Sequence, residues 1–246
     1  MIKTMLPYAL PALLLLAFAC TSPYNDNWID AARKGDLRSI RHAWENGVAI
    51  ETRDRRGETA LSTAAAKGYD ELAAFLIGKG ADVNTANKDR VTPLMYSASH
   101  GFDNIFNQLL QKGAQVNAVS KEGLTPLIYA CLNDHIDIAR SLIKNGANIN
   151  IRLHDDDTML MMIAARGSVG VVQLLLDNGA DVNAKNNTGN TALMNACRNS
   201  DTAMVSLLLQ YKADKTIRDS NGDDAMAHAA RTGNRNVLAL LRQYIK

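Results

Sequence analysis

The chain has 246 residues, 27 Lys and Arg against 25 Asp and Glu, and a formal net charge of +2. Apolar residues make up 47%, charged residues 21% and aromatics 5%, a globular composition that excludes a disordered chain, a collagen and a polytopic membrane protein. So small a net charge also argues against a protein that coats nucleic acid by bulk electrostatics.

The N-terminus reads as an export signal over residues 1–19. Lys3 precedes a nearly continuous apolar run from Met5 to Ala19, too short to span a bilayer comfortably but suited to a signal-peptide core. Pro7 and Pro11 weaken a long straight helix there. Two processing readings stay open. Ala17 and Ala19 fit an ordinary signal-peptidase cut. Ala19 directly before Cys20, after the Leu-rich run, resembles a bacterial lipobox, whose Cys becomes the lipidated first residue; Phe18 and Ala17 depart from its usual residues. Thr21 stands where Asp would favour inner-membrane retention in such lipoproteins. The resemblance therefore implies a periplasm-facing outer-membrane lipoprotein with residues 20–24 as tether. The alternatives are a soluble periplasmic protein or a secreted one.

From residue 25 to 246 one pattern recurs every 33 residues. Thr59, Thr92, Thr125, Thr158 and Thr191 stand in register, with Asp26 before them and Asp224 after. All seven are residues that cap helix N-termini, because the side-chain oxygen accepts a free first-turn N–H. Pro93 and Pro126 follow at the first helical position, where Pro loses no hydrogen bond. Two residues on lies an apolar column: Trp28, Leu61, Leu94, Leu127, Leu160, Leu193 and Met226. Another is Leu76, Leu109, Leu142, Leu175, Leu208 and Leu241. Gly80, Gly113, Gly146 and Gly179 suit left-handed turns after the second helices.

These columns, with Thr-Pro-Leu at Thr92–Leu94 and Thr125–Leu127, resemble the ankyrin repeat. The resemblance implies an all-α repeat solenoid: seven units of 33 residues over 25–246, each a helix pair plus a β-turn, with capping terminal repeats. One pair cannot bury its apolar face alone, so neighbours stack into one continuous core. At helix spacings of about 8–10 Å the stack is a curved rod of roughly 60–70 Å. The family's signature His is absent; its column reads Ser62, Met95, Ile128, Met161, Met194 and Ala227. Arg90 and Asp156 occupy the turn column held elsewhere by Gly57, Gly123, Gly189 and Gly222, which puts the turn geometry in question at both places.

Candidates for chemistry are weak. Cys131 and Cys197 lie two repeats apart, on the order of 20 Å, too far to bridge, in a small-residue column that reads as buried. The cluster His154, Asp155, Asp156 and Asp157 offers carboxylates to a cation but falls on a turn tip and reads as solvated loop. Ser99 and His100 have no evident activating third group. No catalytic residue, metal site or cofactor is expected.

What remains is the groove that such repeats form from turn tips and first helices. By column it presents Arg55, Arg56, Lys88 and Lys121 at the tips and Lys67, His100, Asn133, Arg166 and Arg198 on the helices. Tyr96 and Tyr129, one repeat apart among these cations, make a hot spot for a protein with an acidic rim. The expected protein is therefore a monomeric, non-enzymatic scaffold of the bacterial envelope. It would bind a protein partner and no nucleic acid, and meet the membrane only through its N-terminus. Resembling bacterial proteins also serve as immunity or protective proteins against a toxin or for an envelope enzyme, or as secreted host-directed effectors.

Overall fold

The computed structural model describes residues 23–244, with side chains from Asn27 onward. The expected signal segment and Cys20 lie outside the described residues. Fourteen α-helices form seven pairs there, with no β-strand. The first helices are α1 (Pro23–Lys34), α3 (Ala60–Lys67), α5 (Pro93–His100), α7 (Pro126–Leu132), α9 (Met159–Arg166), α11 (Ala192–Arg198) and α13 (Ala225–Thr232). Their partners are α2 (Leu37–Glu45), α4 (Asp70–Gly78), α6 (Asp103–Gln111), α8 (Ile136–Lys144), α10 (Val169–Asp177), α12 (Thr202–Gln210) and α14 (Arg235–Gln243). The all-α solenoid of seven repeats is thus observed.

The threonine column works as the spacing implies. Thr59, Thr92, Thr125, Thr158 and Thr191 each accept from the backbone N–H three residues on, and Asp224 caps α13 in the same way. Asp26 does not take this role, because α1 begins three residues earlier, at Pro23. Pro23 supplies a pre-set first helical residue. Where the signature His is missing, Met95, Ile128, Met161 and Met194 are fully buried, and Ser62 forms a reciprocal capping box with Thr59.

One apolar core runs from Trp28 to Leu241. The leucine columns lie inside it, each buried side chain contributing about 1.5–3 kcal/mol by leaving water. The small-residue column is fully buried through Ala32, Ala65, Ala98, Cys131, Ala164 and Cys197, where first helices approach too closely for larger side chains. Both tryptophans sit in the first repeat. Trp28 is fully buried with its indole N–H unpartnered, and Trp44 packs edge-on against Phe75 beneath the Lys79 ammonium.

Neighbouring repeats interlock by three devices. Rings cover glycines: a Cβ on Gly68 would lie 2.7 Å from the Phe102 ring, and one on Gly101 2.5 Å from His135. Both glycines also have positive φ, so only Gly fits. Asn84, Asn117 and Asn183 each clamp the next helix end, as Asn84 does by accepting from Gln115 N–H and donating to the Gly113 carbonyl. The tips bond backbone to backbone, Lys88 N–H to Arg56 C=O, Lys121 to Asp89, Asn187 to Asp155 and Ser220 to Thr188.

Candidate functional site

The face made by tips and first helices is set by one polar column. Asp54, Asn87, Asn186 and Asp219 each turn a side-chain oxygen inward to accept backbone N–H groups two and four residues on. That Asx turn fixes each tip and aims the next residues outward. Arg55, Arg56 and Lys88 follow such residues and are exposed.

The second polar atom of the same residues ties the tip to a neighbour. Asn87 donates to Glu58 Oε1 at 2.6 Å and to Tyr96 Oη at 3.1 Å, and Tyr96 Oη donates to Glu58 Oε1 at 2.6 Å. Burial, then the Glu58 carboxylate, push the Tyr96 phenol above its ordinary value. Tyr96 is therefore half-buried and committed to the scaffold. Tyr129 is half-buried too, with no hydrogen bond from its hydroxyl among the described residues.

The other expected groove residues divide likewise. Arg166 donates to the Leu132 carbonyl of the preceding repeat at 3.0 Å, and Asn133 to Tyr129 C=O and Ser99 Oγ. Arg198 donates to Asn190 Oδ1 at 2.6 Å. His100 is exposed, lies flat on Phe102 and places Nδ1 2.9 Å from the Tyr96 carbonyl, away from Ser99. Lys121 lies 3.7 Å from the Asp89 carboxylate in an exposed pair. Arg55, Arg56, Lys67 and Lys88 are exposed and have no side-chain partner among the described residues.

The titratable clusters are internally matched. At the 154–157 tip, Asp156 pairs with Arg152, His154 with Asp155, and Asp157 accepts from Asn186. A trio that sequence reading passed over lies in the last repeat, where Asp219, Asp223 and His228 bring ligand-type atoms within 4.8 Å of one another. Asp219 Oδ2 meets His228 Nε2 at 2.9 Å, Asp219 Oδ1 takes two backbone N–H groups, and Asp223 pairs with the Arg231 guanidinium. His228 shares its column with Tyr96 and grips the tip nine residues before it, as Tyr96 does. That shared offset was the available signal. Burial pushes the Asp219 carboxyl up, but the N–H groups of Asp223 and Asn221, then His228, outweigh it and hold it below the ordinary value. Cys131 and Cys197 are free and buried, and burial raises both thiols to about 12.

The family model for ankyrin repeats matches residues 28–120, 86–153, 104–186 and 160–246. A search of curated proteins gives no match. Among solved structures, the human ASB11 ankyrin repeat domain superposes with TM-score 0.77 at 26% identity, over 92% of this chain and 99% of that one. The ankyrin repeat domain of Bcl-3, described as a unique member of the IkappaB family, also gives 0.77, at 22% identity over 90% and 98%. Ankyrin repeat domains generally mediate protein–protein contact and are typically non-enzymatic. With the repeats matched from residue 28 to 246, the chain belongs to the ankyrin repeat family.

Proposed function

We propose that this chain is a non-enzymatic scaffold that binds a protein partner with an acidic rim across its tips and first helices. One observation carries the reading: Arg55, Arg56, Lys67 and Lys88 stand out from the first half of that face, and no internal ion pair among the described residues uses their charge. The Asx turns and caps hold the backbone beneath them, so little has to be ordered on binding. We further propose export through residues 1–19 and anchoring through Cys20, on the strength of the apolar run and the Ala19–Cys20 junction.

The test is a pull-down from envelope extract with the mature chain, beside an Arg56→Glu, Lys67→Glu, Lys88→Glu variant. The wild type is expected to retain a partner that the triple variant loses. Equal retention by both refutes the charged-face reading. Globomycin should block processing if Cys20 is lipidated; processing that ignores it refutes the anchor.

A further inference from the structure

The tip-to-tip interlock is missing at one junction among the described residues, between the fourth and fifth repeats. The tip bond expected from His154 N–H to Glu122 C=O is absent, although the tips on both sides are bonded. Leu153 stands in the column of Asp54, Asn87, Ser120, Asn186 and Asp219, and its apolar side chain has no oxygen to accept the backbone N–H groups of its turn. The tip takes a 3₁₀ turn instead, with Asp155 and Asp156 both at positive φ, 59° and 63°. Gly68 and Gly101 lie under the rings of the following repeat; from here onward no ring takes that place, the pairs being Asp134 and Ser168, Gly167 and Asp201, and Ser200 and Asn234. The backbones of α7 and α9 also approach each other at fewer places than those of any other neighbouring first helices. The surviving polar link between these helices is Arg166 to the Leu132 carbonyl. The apolar core continues across through Ile128, Leu160 and Ile163.

The tip bond thus fails, the turn loses its side-chain acceptor and the first helices approach less at this one place, while non-directional burial persists. Apolar contact tolerates small rotations that paired backbone groups and seated rings resist. We propose that residues 151–157 are a hinge between a four-repeat segment, α1–α8, and a three-repeat segment, α9–α14. Rocking there sets the width of the binding face between the tips at Lys121 and Asn187. The hinge is a property of the free chain and stands apart from the partner's identity.

Electron–electron distance measurements on the whole chain test this. Spin labels carried on a keto amino acid leave the native cysteines untouched. One pair sits at 121 and 187, across the junction, and a control pair at 55 and 121 spans the same number of repeats without it. The cross-junction distribution should be at least twofold broader. Leu153→Asn, which restores the Asx residue, or Asp134→Gly with Ser168→Tyr, which restores a ring over a glycine, should narrow it toward the control. Equal widths in the unaltered chain overturn the hinge, as does a broad distribution that neither variant narrows.

Discussion

Replacing Gly101 with Ala separates the two roles of an interlocking glycine. Its φ is +73°, and the new Cβ would sit 2.5 Å from His135 Cε1. Ala in the left-handed region costs about 1–2 kcal/mol. The imidazole must also move, losing its contact with Ser99 C=O at 3.1 Å, worth about another 1 kcal/mol. The expected loss is about 2–3 kcal/mol. Gly179 is the control, with φ +89° and nothing within 4 Å of an added Cβ, so Gly179→Ala should lose only the conformational part, about 1–2 kcal/mol. Urea unfolding followed by far-ultraviolet circular dichroism measures both. At a slope of about 2 kcal/mol/M the ring part of about 1 kcal/mol should separate the midpoints by roughly 0.5 M. Equal losses would show that the ring yields freely and that the covered glycine locks nothing.

Arg166→Glu should lower stability by about 1 kcal/mol, because it uncaps the Leu132 carbonyl, whereas Lys67→Glu on the exposed end of α3 should leave the melting temperature unchanged; thermal melts decide, and equal melts would remove Arg166 from the scaffold. Cys131 and Cys197, held near 12 by burial, should resist a thiol-specific disulfide reagent in the folded chain and react at once in denaturant. The denatured mature protein should then show two reactive thiols if Cys20 is lipidated and three if it is present unmodified. Asp219 is held below its ordinary 3.8, so its stabilisation is complete above that value and is lost as pH falls through the lowered folded value. Acid titration should therefore destabilise the wild type more than Asp219→Asn below roughly pH 4, and parallel curves would refute the assignment.

The period was legible because stacking repeats the same local problem: a cap, a close helix contact and a left-handed turn in each unit. Thr125, Leu127 and Gly146 answer it identically wherever they recur. Arg90 and Asp156 raised doubt about turn geometry, and both do adopt positive φ without glycine. The start of α1 differs from the column's period because the helix already runs from Pro23, which puts Asp26 inside it. The face was harder to read. Tyr96 sits in the right column, but that its hydroxyl is held by Glu58, 38 residues earlier, depends on how tips stack. Arg166, Asn133 and Arg198 look like solvated groove residues in sequence, and geometry alone shows them bound to neighbouring groups. Of the expected groove cations, Arg55, Arg56, Lys67 and Lys88 remain outward, with no side-chain partner among the described residues.

Placement of the indoles has a practical consequence. Trp28 and Trp44 are the chain's two tryptophans, and both lie in the first repeat, the former sealed from water and the latter under an ammonium group. Tryptophan fluorescence is therefore an end-mounted gauge: it registers melting of the amino-terminal module and of its seam with the second, and is blind to the five beyond. Helical ellipticity averages over all seven. Any lag between the two signals measures how far disruption at one end travels before the rest gives way.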